Sequence, residues 1–270
     1  MSRRPAPPTH SVSPPSAPPP DEVLGHVVHD LEQVFGALDT LGQRLQDVMA
    51  RAGGAGAPLY RSDLTSVQQV IFDILATHRD LVAGAGVIAA PDLLRDAPRW
   101  LEWWWTTAAG TPEALRVNLD PAAPDFFDYT TADWYATPER TLTRRAAGPY
   151  VDYACTGEYA ITLSVPVRFG DRLLGVAAAD VLVSSVERRV LPALMSVAHP
   201  VVLANVDGRV IASNSPHWTP GLRVAVNGGK PAVSVGPGLD SDPATSPLRS
   251  WVLVDVDESP ARSPLANACG

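Results

Sequence analysis

Two carboxylates and a group of aromatic rings near the middle of this 270-residue sequence have the residue types of a cation-binding site. The rings are the adjacent Trp134 and Tyr135, followed by Tyr150; the carboxylates are Asp152 and Asp180. Aromatic faces attract ammonium groups through the ring quadrupole, worth about 0.5–2 kcal/mol each. A carboxylate adds countercharge and charge-assisted hydrogen bonds. Asp180 interrupts an apolar run, with Val176-Ala177-Ala178-Ala179 before it and Val181-Leu182-Val183 after. A charge there is costly unless it is paired or hydrogen-bonded. A competing reading makes Asp180 a cap for a helix beginning near Ser184, although it stands a few residues early.

Other chemistries find less support. Gly84-Ala85-Gly86-Val87-Ile88-Ala89 fits the G-x-G-x-x-A pattern of dinucleotide sites, but Pro91 follows at once where such a site needs a helix. A strand of small residues under close packing explains it better. No G-x-S-x-G, P-loop or H-E-x-x-H is present. His26 and His29, with Glu22 and Asp30 nearby, read as a solvated helix face rather than a metal site. Cys155 has no neighbouring His to activate it, and Cys269 stands next to last, so neither a nucleophile nor a structural disulfide is expected. The expectation is a non-enzyme with no cofactor and no metal.

The formal net charge of -8 argues against nucleic acid as a partner. Arg144-Arg145 and Arg188-Arg189 are isolated doublets, not a phosphate-binding cluster. No run approaches the roughly 20 apolar residues of a membrane span. Arg3-Arg4 is followed by proline and serine rather than an apolar signal core, so a cytoplasmic location is expected.

The elements that must position these residues follow from periodicity. Residues 1–20 hold too little apolar material to order themselves and read as a disordered tail. Leu24, Val28, Leu31, Phe35, Leu38, Leu45 and Met49 form a heptad-like stripe that skips Gly42 and ends at Gly53-Gly54. Two readings of this helix stay open: a homodimerisation helix, or a helix laid against its own domain. A second helix is predicted over 63–80, capped by Ser62 or Asp63, with Val67, Val70, Ile71, Ile74 and Leu75 inward. Strands are predicted over 81–89 and 100–106, the latter with Trp103-Trp104-Trp105, and a helix over 133–145.

Ile161, Leu163, Val165 and Val167 alternate with Thr162 and Ser164, a half-buried strand that Gly170-Asp171 turns into a second over 173–181. A helix over 184–197 closes the first module. Asp207-Gly208 then joins 201–205 to 209–213, and 222–226, 232–236 and 250–256 are further candidate strands. The whole reads as α+β, with antiparallel sheets rather than a parallel α/β fold. The expected organisation is a tail (1–20), a long helix and linker (21–62), a larger module with the pocket (63–197), a smaller second module (198–257) and a flexible tail (258–270).

The segments Trp134-Tyr135, Gly148-Pro149-Tyr150-Val151-Asp152, Thr156-Gly157-Glu158, Ile161-Thr162-Leu163-Ser164-Val165-Pro166 and Gly175-Val176-Ala177-Ala178-Ala179-Asp180 together resemble the membrane-distal module of Cache sensor domains, of the double-Cache group. The resemblance spans residues 128–187, and Asn205 to Asn214 is similar, more loosely, to the smaller second module. It implies two PAS-like antiparallel-sheet modules after a long N-terminal helix, with ligand held by the first. Carried over by position, Phe127, Trp134, Tyr135 and Tyr150 would line the pocket, and Asp152 and Asp180 would bind an amino group. Amino-acid-binding members carry an arginine where this sequence has Ala132, with Arg140 or Arg144 as potential substitutes.

The implied ligand is therefore an amine (polyamine, choline-like or a small primary amine) ahead of an α-amino acid. The implied role is a sensor that signals through a separate partner protein, or a ligand carrier. The alternative is a structural or protein-interaction subunit with a degenerate pocket.

Overall fold

The computed structural model describes residues 20–107, 109–226, 230–231 and 246–257. It opens with the helix α1 (Pro20–Ala52). Each residue of the predicted stripe is buried, and Val27, Val34, Leu41 and Val48 widen the apolar face.

Six strands form the larger sheet: β1 (Val82–Ala89), β2 (Leu101–Thr106), β3 (Pro112–Ala114), β4 (Arg145–Val151), β5 (Tyr159–Phe169) and β6 (Arg172–Leu182). Their order is β3-β2-β1-β6-β5-β4, antiparallel throughout. The stripe of α1 packs on this sheet and shares one core with it. The stripe of α1 is buried within the chain, laid against its own domain as the second of the two readings has it. Gly42, the gap in the stripe, lies where α1 crosses β5; a Cβ there would come 3.1 Å from Val167 Cγ2.

The expected helix over 63–80 is shorter and broken. It consists of α2 (Arg61–Leu64), a 3-10 turn (Thr65–Val67) and α3 (Gln68–Thr77). Tyr60 holds the N-cap position rather than Ser62 or Asp63. Asp63 lies three residues into the helix and accepts the Tyr60 N–H at 2.8 Å. The helix expected over 133–145 stops earlier, as α4 (Asp133–Thr141), and α5 (Val183–Met195) follows β6.

A smaller sheet is built from β7 (Val201–Ala204), β8 (Val210–Ser213), β9 (Lys230–Pro231) and β10 (Val252–Asp255), in order β8-β7-β10-β9. Residues 222–226, a candidate strand in the sequence, contribute one bridge between Arg223 and Arg209 and no strand. The candidate strand 232–236, Cys269, the proline-rich tail before Pro20 and the tail after 257 lie outside the described residues. The architecture is thus α+β, a long N-terminal helix followed by two antiparallel sheets, the second smaller.

Strand alternation divides the larger sheet between two jobs. Ile161, Leu163, Val165 and Val167 of β5, with Ala177, Ala179 and Val181 of β6, join the core that includes α1. Thr162, Ser164, Val176, Ala178 and Asp180 have the opposite parity. The predicted half-buried strand is instead buried almost throughout, because α4 and the preceding connection cover its second face. This covered second face holds the cavity described next.

Candidate ligand-binding site

A cavity of about 530 Å³ opens between the second face of the larger sheet, the α4 region and the turn joining β7 to β8. Trp103, Thr162 and Asp180 line it from the sheet, Phe127, Asp128 and Trp134 from the α4 side, and Tyr150, Asp152 and Cys155 from β4 and the turn after it. Asp207 and Arg209 reach it from the smaller sheet.

Asp180 is buried, 6% exposed, directly opposite Thr162 in the β5–β6 register. Thr162 Oγ1 donates to Asp180 Oδ1 at 2.6 Å, and the Tyr150 hydroxyl makes a short hydrogen bond to the same Oγ1. Since the Thr162 proton goes to Asp180, Tyr150 must donate to Thr162, giving a relay of two hydroxyls that ends on the carboxylate. Burial, and secondarily the Asp152 carboxylate, push the Asp180 acid up to about 7.

Asp152, also 6% exposed, shapes the turn that follows β4. Its carboxylate accepts the Cys155 N–H (3.2 Å), the Thr156 N–H (2.9 Å) and the Thr156 hydroxyl (3.1 Å). Neither Asp152 nor Asp180 has a cationic partner among the described residues. Asp180 does not cap α5, whose N-cap is Leu182, so the competing reading falls.

Of the six residues singled out in the sequence, Phe127, Trp134, Tyr150, Asp152 and Asp180 meet at this cavity and Tyr135 does not. Successive helix residues point about 100° apart, and in α4 this turns Trp134 to the cavity and Tyr135 away from it. Tyr135 is fully buried behind the wall, edge-on to Tyr129 at 5.1 Å. Its hydroxyl has no hydrogen-bond partner among the described residues, and burial raises its pKa far above that of a free phenol.

Arg140 and Arg144 do not supply a guanidinium to the cavity. Arg144 is held by Glu32 (3.4 Å) and Asp39 over the Phe35 ring. The cation that does line the cavity is Arg209, which sequence reasoning missed. Nothing local to residues 205–209 signals that they fold back onto the first sheet. Asp207 was missed for the same reason, whereas Asp128 and Asp133 stand beside the predicted Phe127 and Trp134 and were simply not singled out. Arg145 ties two of them across the mouth, reaching Asp133 at 2.7 Å and Asp207 at 3.1 Å.

The tryptophan run divides by parity as a strand must. Trp103 lines the cavity, whereas Trp104 turns to the other face, edge-on to Phe72 at 4.9 Å. On that face the buried Glu102 accepts the Gln68 amide (2.8 Å) and the indole N–H groups of Trp104 (2.9 Å) and Trp100 (3.2 Å). Gly84 explains the fingerprint-like run: a Cβ there would stand 2.8 Å from Trp103 Nε1, so small residues let the indole lie across β1. Cys155 is held as a thiol rather than a thiolate. Burial first, then Asp152 and Asp180, push its thiol up to about 12.

A long helix, a six-stranded antiparallel sheet with a cavity on its second face, and a smaller second sheet make a Cache-like α+β fold. The solved structures most usefully compared are sensory domains. The ligand-binding domain of the Campylobacter jejuni chemoreceptor Tlp3 in complex with 4-methylisoleucine matches at TM-score 0.53 and 12% identity, over 78% of this chain and 77% of that one. The same domain in complex with L-valine matches at TM-score 0.52 and 13% identity, over 79% of each chain. The extracellular domain of the putative histidine kinase soHK1S-Z6 matches at TM-score 0.51 and 17% identity, over 71% of this chain and 68% of that one. The chain spans 65% of another such kinase domain, mmHK1S-Z3. No protein-family model and no curated protein matches the sequence. At these identities the likeness is one of fold. Among the described residues, no helix is long and apolar enough to cross a membrane.

Proposed function

We propose that this chain is a sensor module that binds a small ammonium-bearing molecule in the cavity and reports its presence through a partner protein. One observation carries the reading: Asp152 and Asp180 are buried beside one another, without a counter-cation among the described residues, in a cavity walled by Phe127, Trp134 and Tyr150. An ammonium group would relieve the repulsion between the carboxylates, replace the water Asp180 has lost, and meet aromatic faces on the opposite wall. The neighbouring chemoreceptor domain, crystallised with amino acids, supports a small amino-bearing ligand. The cavity volume of about 530 Å³ falls within the range of small-molecule sites.

Thermal-shift measurements with a panel of primary, quaternary and polyamines test this. Binding raises the melting temperature as ligand exceeds its dissociation constant. The expected result is a saturable shift with at least one amine, absent in Asp180→Asn although that variant remains folded. No shift across the panel leaves a protein-interaction subunit with an unused pocket as the better reading.

A further inference from the structure

A second cavity, of about 700 Å³, lies between β2, the α2–α3 segment and the chain leaving β3. Its polar anchor is Glu102, 7% exposed. Glu102 Oε1 accepts the Gln68 amide (2.8 Å) and the Trp104 indole N–H (2.9 Å), and Oε2 accepts the Trp100 indole N–H (3.2 Å). These three bonds offset the cost of burying a carboxylate. They also fix two indoles and an amide around one point, and leave one acceptor position of Oε2 unspent.

The rest of the lining mixes donors with acceptors. Gln68 spends its NH₂ group on Glu102 and keeps its carbonyl oxygen. Arg61 gives its Nε–H to Asp96 at 3.0 Å, lies 5.2 Å over the Trp100 ring, and keeps its terminal amino groups. The Ser62 hydroxyl and the exposed Arg116 guanidinium have no hydrogen-bond partner among the described residues. Trp100 and Trp104 are half-buried, so part of each indole borders the space. Two carboxylates (Asp96, Glu102) and two guanidinium groups (Arg61, Arg116) leave this lining without net charge, whereas five aspartates and one arginine line the first cavity.

We propose that this cavity is a second ligand site, separate from the amine cavity, and that it takes the ring of a neutral sugar. Such a ring has an apolar C–H face to cover the indoles. Its hydroxyls both donate and accept, as the unspent groups of Glu102, Gln68, Arg61, Ser62 and Arg116 require. A purely apolar guest would leave those groups unpaired. An ion of either sign finds no net charge to hold it, and an open-chain polyol has no flat face for the indoles. The bonds to Glu102 hold both rings in place before any ligand arrives, which lowers the cost of binding. The proposal stands whether or not the first cavity binds amines.

Saturation-transfer NMR on the full chain, with the aromatic protons of the protein irradiated, tests it. The probes are the methyl pyranosides of glucose, galactose, mannose and N-acetylglucosamine, with sorbitol as a hydroxylated control that has no ring. Each is present at about 20 mM, enough to populate a site of millimolar Kd. The expected result is transfer to at least one pyranoside and none to sorbitol. Ser62→Trp, at an exposed position on the lining, fills the space and should abolish the signal. Arg116→Ala removes a guanidinium that has no partner to lose, and should weaken the signal without lowering the melting temperature. Absence of transfer to all four pyranosides would overturn the proposal, as would equal transfer to sorbitol or a signal unchanged in both variants. Each of these outcomes leaves the amine cavity as it stands.

Discussion

Thr162 and Asp180 face each other across the β5–β6 pair, and the threonine hydroxyl is the only side-chain donor that reaches the Asp180 carboxylate among the described residues. The pair links a strand register, which the sequence alternation dictates, to the ionisation of a buried acid in the cavity. Most of the expected behaviour of this protein follows from how that acid is held.

Without ligand, the folded protein should lose stability as pH rises from about 4 to about 7 through Asp180. In the folded state this acid is raised to about 7 from the ordinary 3.8. The native state therefore holds its proton where the unfolded state has released it, and this contribution is complete below the unfolded pKa and lost as pH passes the folded one. The effect is on the order of a few kcal/mol. Denaturant titrations across this range should show a falling stability that Asp180→Asn flattens. An unchanged slope in the variant would reject the assignment.

Amine binding should show the opposite trend, strengthening with pH up to about 7 and levelling above it, with proton release on binding. The ammonium group prefers the ionised carboxylate, so at lower pH it must first displace the proton from Asp180. Calorimetry in buffers of different ionisation enthalpy measures that release directly. Binding that takes up protons, or none, contradicts the role given to Asp180.

Thr162→Val removes the end of the hydroxyl relay and keeps the side-chain shape. It strips Asp180 of its donor and leaves the Tyr150 hydroxyl without its acceptor, which costs about 1–3 kcal/mol for groups so buried. Because the Thr162 hydrogen bond holds the Asp180 pKa down, its loss should move the midpoint of amine binding to higher pH. The pH profile separates this from a simple loss of packing, which would weaken binding equally at every pH.

Tyr135→Phe should leave amine affinity unchanged and keep or raise stability. The phenol oxygen is buried without a hydrogen-bond partner among the described residues, so removing it costs no bond and relieves a desolvated group. Trp134→Ala, one residue earlier and lining the cavity, should weaken the same ligand through loss of a ring face. Equal effects from the two substitutions would contradict the helix geometry that separates them.

What the sequence disclosed depended on the range of each interaction. The stripe of α1, the alternation of β5 and the turns at Gly170-Asp171 and Asp207-Gly208 are local patterns, and each forms the element its spacing implies. Tyr135 was misassigned because a pair of adjacent aromatics says nothing of which one faces inward until the helix phase is known. Arg209 was illegible for a different reason. Its place in the cavity depends on a 57-residue fold-back, from Gly148 to the turn at Asn205, that no short window contains. Even the helix 63–80 failed at its cap, where Asp63 reaches back to Tyr60 instead of starting the helix itself.

Gly84 sets local propensity against tertiary packing most directly. On propensity alone, Gly84→Ala should help, because glycine inside a strand gives up more backbone freedom than alanine. The structure reverses the sign: the new Cβ would stand 2.8 Å from Trp103 Nε1, inside van der Waals contact, with more of the indole ring at 3.2 Å. Gly84 pairs with Asp180 on one side of β1, so the indole can shift only by disturbing the cavity floor or its own strand. Overpacking of this kind costs about 1–3 kcal/mol, and a displaced Trp103 should alter both its fluorescence and the affinity for amines. A variant of equal or greater stability, with unchanged binding, would show that the indole has room to move and that the small residues of β1 are there for another reason.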